Sequence, residues 1–155
     1  MATPPGLLTA IGSWRGTSKL NFSEDPSVEN ISESSSTLAV ETDPLQAFAT
    51  VTYTWSFEGQ VHEGRFLVSG TESTDEVTAG WSDSWHQRGG VMPLTGTGMH
   101  SNHVCVTGSY GAGDGPDWGW GVEFNLDGDT LIFKMTNITP EGDQTWAVHA
   151  EYSRC

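Results

Sequence analysis

The chain has 155 residues and a formal net charge of -14, with 20 acidic and only six basic residues. This length fits one domain with a sizeable core, and we expect residues 1–155 to form a single domain. The charge balance argues against nucleic acids and anionic membrane surfaces as partners, because both require clustered Lys and Arg. A membrane span is not expected either, since no run of about 18 apolar residues is present.

The N-terminal segment and the two cysteines indicate the expected compartment. The start lacks a basic region and a long apolar region, so we do not expect a secretory signal peptide. Two cysteines, Cys105 and Cys155, do not make a disulfide framework. We therefore expect free thiols and a cytoplasmic location.

The chain is predicted to begin with one short helix, Pro4–Gly12, which has Pro at its start and Gly at its end. Only strand signals follow. The clearest is Ala47–Phe57, where apolar side chains alternate with Thr and Ser, as is typical of a half-buried antiparallel strand. The acidic segment Phe22–Ser36 is expected to be a mobile connection and a lid over an open barrel end.

The strand signals, taken in chain order, predict an all-β fold. The ten predicted strands are Gly12–Phe22, Ser36–Thr42, Ala47–Phe57, Val61–Ser69, Glu76–Trp85, Val91–Thr97, His103–Tyr110, Trp118–Leu126, Thr130–Ile138 and Gln144–Ser153. Sequential strands with Gly, Asp and Pro in their connections favour an antiparallel up-and-down barrel, whose closure removes the sheet edges. A barrel of about eight to ten strands can hold one small ligand.

Two short motifs, "GSWRGTSKL" near the start and "EYSR" at the end, resemble the lipocalin (calycin) superfamily. The residues that match are Gly12, Trp14 and Arg154. The resemblance implies that Trp14 plugs the closed end of a barrel and that Arg154 stacks across the indole. A cation–π contact of this kind is worth about 0.5–2 kcal/mol.

Most of the chain is similar, more specifically, to bacterial lipocalin-like families that are classed as domains of unknown function. Besides the two end motifs, the segments "VTYTWSFEGQVHEGRFLVSG", "TAGWSDSWH" and "GSYGAGDGPDWGWGVEF" carry this resemblance. It implies a barrel like those of lipocalins and fatty-acid-binding proteins. It implies no particular activity, since a fold does not determine a function.

Strand alternation predicts a lumen lined by large aromatic rings. The predicted lining residues are Tyr53, Trp55, Trp81, Trp85, Tyr110, Trp118, Trp120 and Trp146. Aromatic stripes at strand spacing most often form a packed core. The same rings with a few polar groups would also suit a ligand pocket, so both interpretations stay open.

The stretch "WSDSWHQ" places Asp83 midway between Trp81 and Trp85 on one predicted inner face. A buried carboxylate must be hydrogen-bonded, paired or protonated. Arg65 is the best candidate partner if its phase of the fourth strand faces inward, although the alternating phase, with Phe66, is equally possible. Otherwise Asp83 faces a ligand, and a carboxylate among indoles would suit a cationic or hydrogen-bond-donating molecule.

These residues support three hypotheses. The first is a binding protein for a small apolar or aromatic molecule, amines included, which Asp83 and Arg65 orient. The second is a small-molecule enzyme with Asp83 as general acid or base, assisted by Tyr110 or His86. The third is a structural or interaction protein with a filled core.

No metal site or cofactor is predicted. The H-x2-H spacing of His100 and His103 is more typical of an exposed pair, and Cys105 is expected to face outward and to be inert. Haem is a minor alternative, because nitrobindin-type barrels resemble this chain in length and in the early Gly-x-Trp-x-Gly, and they place an axial His late in the chain. Here His149 is expected to point outward. The oligomeric state stays open, with a homodimer as one option.

Overall fold

The structure, a computed structural model, describes residues 1–23, 25, 27–87 and 90–155. Ten antiparallel strands close into one barrel, in which each strand pairs with its neighbours in sequence and the first pairs with the last. The predicted all-β fold with a short N-terminal helix is confirmed. The elements are α1 Pro5–Thr9, β1 Gly12–Asn21, β2 Ile31–Thr42, β3 Ala49–Phe57, β4 Gln60–Thr71, β5 Glu76–Asp83, β6 Met92–Thr97, β7 His103–Tyr110, β8 Trp118–Asp127, β9 Thr130–Ile138 and β10 Gln144–Arg154.

Strand β2 is longer than predicted, because it begins at Ile31 rather than at Ser36. Its serine-rich first half pairs with β1 in a continuous antiparallel ladder that runs to Asn21 opposite Ile31. Backbone pairing extends this strand although its side chains show no hydrophobic alternation. The predicted loop Phe22–Ser36 is therefore wrong in extent: the connection covers residues 22–30, of which Glu24 and Pro26 lie outside the described residues.

One end of the barrel is closed by the contact that the motifs predicted. The Arg154 guanidinium lies 4.4 Å from the centroid of the Trp14 ring and donates hydrogen bonds to the carbonyls of Thr9 and Ile11. The Trp14 Nε1 donates to the carbonyl of Ala10 at 2.8 Å. These bonds satisfy carbonyls at and after the C-terminus of α1 and hold the helix against the barrel end.

The half of the lumen next to this end is filled by side chains. Phe66, Phe124 and Phe133 are almost completely buried and contact one another at ring-centroid distances of 5.1–5.8 Å. Trp81 stacks on Phe66 at 6.0 Å with an interplanar angle of 11°. This half of the lumen is thus a packed aromatic core.

None of the helices in the described part of the chain has the length and apolarity that a membrane crossing requires.

Candidate functional site

The carboxylate of Asp83 lies at the bottom of the other half of the lumen, with its side chain fully buried. Its Oδ2 accepts hydrogen bonds from the Tyr53 hydroxyl at 2.6 Å and the Trp55 Nε1 at 3.3 Å. Its Oδ1 accepts from the backbone N–H groups of Trp85 at 2.8 Å and His86 at 2.9 Å. Trp81 extends this network by donating from Nε1 to the Tyr53 oxygen at 3.0 Å. Both carboxylate oxygens are therefore occupied by donors of the protein itself.

These donors keep Asp83 ionised. Burial by itself raises the pKa of Asp83, but the nearby His86 imidazole, the Tyr53 hydroxyl and the backbone N–H of His86 outweigh burial and lower the pKa to about 2. Burial and the neighbouring Asp83 charge raise the pKa of Tyr53 well above its usual value. A carboxyl with a pKa near 2 is a poor general acid or base at neutral pH, so this geometry gives the enzyme hypothesis no support.

Asp83 is also the residue at which β5 ends. Its backbone carbonyl accepts from Gln87 N, and its Oδ1 accepts the two hydrogen bonds at the start of the same turn. An Asp side chain that binds the backbone two and three residues later favours a turn over a continued strand. The prediction that the strand runs on to Trp85 is therefore wrong. The turn instead carries Trp85 and His86 over the open end of the barrel.

A glycine makes room for this network. Gly64 of β4 is paired with Tyr53 of β3 on one side and with Asp83 of β5 on the other. A methyl group at Gly64 would overlap the phenol ring of Tyr53. The Tyr53 side chain thus crosses an empty position on β4 to reach the carboxylate two strands away.

Arg65 was a candidate partner of Asp83 and a predicted ligand-binding residue, and the structure places it outside the lumen. The other phase of β4, with Gly64 and Phe66, faces inward, so Arg65 lies on the outer face. Its side chain is 73% exposed and binds Glu63 at 2.9 Å. Tyr53 and the turn after β5 supply the contacts that Arg65 was expected to supply.

An open-mouthed cavity of about 550 Å³ lies above Asp83. This volume is in the range of small-molecule sites. Five of the predicted ligand-binding residues line it: Trp85, Tyr110, Trp118, Trp120 and Trp146. A smaller adjoining space shares Trp85, Tyr110 and Trp120 with it and is also bounded by Trp81. The structure therefore divides the predicted set into a lining layer and a supporting layer of Tyr53, Trp55 and Asp83 beneath it.

Three of the lining rings, Trp85, Trp120 and Tyr110, are held by contacts with other aromatic rings. Trp120 is stacked on Trp81 at 5.5 Å with an interplanar angle of 6°, and Tyr110 meets its edge at 6.4 Å. Trp85 packs edge-on against Trp55 at 5.6 Å. These geometries are the favourable ones for aromatic pairs. The wall of the cavity is thus continuous with the packed core below it.

Several polar side chains that line the cavity were missing from the predicted ligand-binding set, among them those of His86 and Asn137. His86 lies in the turn after Asp83, with Nδ1 3.3 Å from the carboxylate Oδ1 and its ring against Trp120 at 5.4 Å. Asn137 accepts a hydrogen bond of 2.5 Å from the Tyr110 hydroxyl. The inward phase of β9 continues through Met135 to Asn137, so the alternation could have identified it. His86 was named only as an assisting group in the enzyme hypothesis, because its contact with Asp83 depends on the turn that begins where β5 ends.

The first connection borders the mouth of the cavity. Phe22 and Ser23 contribute to its lining, and the Trp146 Nε1 donates to the Glu29 carboxylate at 3.1 Å. A β-bulge in β10 between Trp146 and Val148 places Ala147 in the lining as well. The expected position of this segment at the open end is found, and the lid function stays a prediction.

His149 lies outside the lumen, as its alternation predicted. Its Nε2 is 3.1 Å from a Glu151 carboxylate oxygen, and its side chain is 37% exposed. It therefore cannot supply an axial ligand to a group bound in the cavity.

In comparisons with known proteins, neither a family model nor a curated protein matches this chain.

Proposed function

We propose that the protein binds one small, flat, largely apolar molecule in the open half of the barrel. The observation that carries this proposal is the cavity of about 550 Å³ whose wall contains four tryptophans and Tyr110. Aromatic side chains around a concave space favour stacking and edge contacts with a ring system. The packed half of the lumen below gives the pocket a rigid floor.

The polar groups of the cavity favour a neutral ligand that carries a hydrogen-bonding group. His86, Tyr110 and Asn137 lie on its wall and offer ring nitrogen, hydroxyl and amide groups. A net charge of -14 and the Glu29 carboxylate near the mouth disfavour an anion. The option of an amine rested on the aromatic faces, which attract cations, and on a carboxylate of Asp83 that faces the ligand. Because the protein occupies both oxygens of that carboxylate, the second of these two reasons for an amine is lost.

A neutral fluorescent dye tests the pocket. Nile red is flat, aromatic and uncharged, and we expect saturable binding with an increase in its emission. Replacing Trp118 by Ala should weaken the affinity about 2- to 10-fold, because one aromatic contact of roughly 0.5–1.5 kcal/mol is lost. Ala112→Trp, which places a large ring in the cavity mouth, should weaken it further. The dissociation constants come from fluorescence titration.

Val61→Ala is the matched control, since Val61 is 66% exposed on β4 outside the cavity. Its affinity should equal that of the wild type. Equal affinities for all four proteins would place the dye outside the cavity and contradict the proposal, as would the absence of binding. A native mass spectrum of the purified protein would additionally identify any co-purifying molecule by its mass.

Two further expectations, a lipocalin-like family and a cytoplasmic location, form part of this proposal. A lipocalin-like assignment is supported by the Trp14–Arg154 contact at the closed end of the barrel. A cytoplasmic location is supported by the two cysteines, which are both free.

A further inference from the structure

A second cluster of chemically active side chains lies on the outer face of the barrel, opposite the packed half of the lumen. Cys105 of β7 and Glu123 of β8 are directly opposed in the antiparallel ladder. His103 lies two residues before Cys105 and so projects from the same face. One side-chain atom of each residue, an imidazole nitrogen, a thiol sulfur and a carboxylate oxygen, lies within 4.8 Å of the other two.

We infer that His103, Cys105 and Glu123 form a binding site for a zinc-like divalent ion, independent of the ligand pocket. Zn²⁺ binds sulfur at about 2.3 Å and nitrogen or oxygen at about 2.0–2.2 Å, so tetrahedral ligands lie roughly 3–4 Å apart. The His103 Nε2 and the Glu123 Oε1 are already 2.8 Å apart. Small side-chain rotations would therefore admit an ion between the three atoms.

The ligand set selects the class of metal. A thiolate with an imidazole favours Zn²⁺ and its borderline neighbours over Mg²⁺ and Ca²⁺, which prefer oxygen. A thiolate and a carboxylate together neutralise a divalent charge. The side chains of His103 and Glu123 are 45% and 34% exposed, which leaves the outer side of the site open to water. Three protein ligands and a fourth, open position is an arrangement that zinc adopts in proteins.

Binding at this site must release a proton. The thiol ligates as the thiolate, and burial and the Glu123 charge raise the pKa of Cys105. The charged neighbours on the flanking strands are Glu123 and, opposite it on β9, Lys134, whereas Thr97 on β6 is uncharged. The proton that leaves the Cys105 sulfur goes to the buffer as the metal–sulfur bond forms. The affinity should consequently rise with pH.

Sequence spacing alone did not predict this site. His100 and His103 suggested at most an exposed pair, and the structure separates them: His100 lies near Asp75, whereas His103 contacts Glu123. The ligand that completes the set comes from the next strand. Only the register of β7 against β8 brings Glu123 beside Cys105.

Cobalt is the probe, because its thiolate complexes absorb in the near ultraviolet and its tetrahedral complexes in the visible. The protein should be untagged and carry Cys155→Ser, since Cys155 is an exposed thiol. We expect a thiolate-to-cobalt band that saturates at one equivalent and disappears when Zn²⁺ is added. Cys105→Ser should abolish the band, and His103→Ala and Glu123→Gln should each weaken Co²⁺ binding about 10-fold or more.

His100→Ala is the matched control and should bind Co²⁺ as the parent does. Cys105→Ala provides a second test of the thiol, with circular dichroism to establish that each variant is folded. No thiolate band in the parent, or an unchanged band in either Cys105 variant, would overturn the inference. Calorimetric titration of Zn²⁺ in buffers of different protonation enthalpy should show a proton released on binding, and the absence of release would also contradict thiolate ligation.

Discussion

At the scale of single residues, Asp83 explains why a carboxylate lies between two tryptophans. It ends β5, starts the turn that carries Trp85 and His86, and accepts hydrogen bonds from Tyr53 and Trp55 of β3, two strands away. A buried charge is tolerated only when it is compensated by hydrogen bonds or an opposite charge. Asp83 thus supports the wall of the cavity, and both of its carboxylate oxygens are occupied by donors of the protein.

We expect Asp83→Asn to destabilise the fold by about 3 kcal/mol. The amide keeps the size of the side chain but loses the charge and replaces one acceptor oxygen by a donor, which faces other donors. Urea denaturation followed by tryptophan fluorescence measures the free energy of unfolding. Asp129→Asn, at an exposed position in the turn before β9, should have almost no effect.

Acid denaturation provides a second test of Asp83→Asn, through the pH dependence of its free energy of unfolding. The folded-state pKa of Asp83 is lowered from 3.8 to about 2, so its stabilising contribution is complete above about pH 4 and is lost as the pH falls towards 2. The wild type should therefore lose about 2 kcal/mol more than Asp83→Asn over this window. Parallel pH profiles for the two proteins would show that the carboxylate is not held ionised by the fold.

At the scale of elements, the site depends on three strands in register. Tyr53, Gly64 and Asp83 occupy one row across β3, β4 and β5. The glycine in the middle strand lets the Tyr53 ring lie flat over β4 and reach the carboxylate. Glycine usually weakens a strand, so its presence here is explained by this close approach.

Gly64→Ala should therefore destabilise the protein by about 1–3 kcal/mol, because the methyl group overlaps the Tyr53 ring. Gly80→Ala on the adjacent strand is the control. The nearest atom to its added carbon is Val91 Cγ1 at 3.6 Å, an ordinary contact. That substitution should be neutral or stabilising by up to about 1 kcal/mol. Thermal melting of both variants measures the difference in stability. Equal melting temperatures would contradict the steric role of Gly64.

At the scale of the whole molecule, closure of the barrel stabilises the folded state, whereas the large negative charge destabilises it. Pairing of β1 with β10 gives every strand two neighbours. With a net charge of -14, the excess acidic side chains repel one another in the compact folded state. This repulsion is long-ranged at low ionic strength, where the Debye length is about 30 Å at 0.01 M salt, and is screened to about 3 Å at 1 M.

Adding sodium chloride at neutral pH should consequently raise the melting temperature by about 2–4 °C if screening contributes roughly 1 kcal/mol. The rise should shrink near pH 4.4, the isoelectric point, where there is little net charge to screen. Scanning calorimetry over a salt series at both pH values measures the effect. A melting temperature that falls with salt at neutral pH would show that attractive ion pairs outweigh the net repulsion.

Local sequence patterns determined much of this protein by themselves. The alternation of Ala47–Phe57 and its counterparts predicted the strands, and the turn residues predicted their sequential order. The end motifs, through the resemblance that they carry, predicted the contact of Trp14 with Arg154. A period of two residues places side chains on one face or the other, and this requires no knowledge of neighbouring strands.

The tertiary structure alone decided what the inward residues do. Alternation could not choose between the two phases of β4, so Arg65 remained a candidate partner of Asp83 until the structure placed it on the outer face. It could not distinguish a filled half of the lumen from an open half either, because both are lined by aromatic rings. Register between strands fixed the Tyr53–Gly64–Asp83 row and the juxtaposition of Cys105 with Glu123. Such contacts join residues far apart in the chain, and only the closed barrel brings them together.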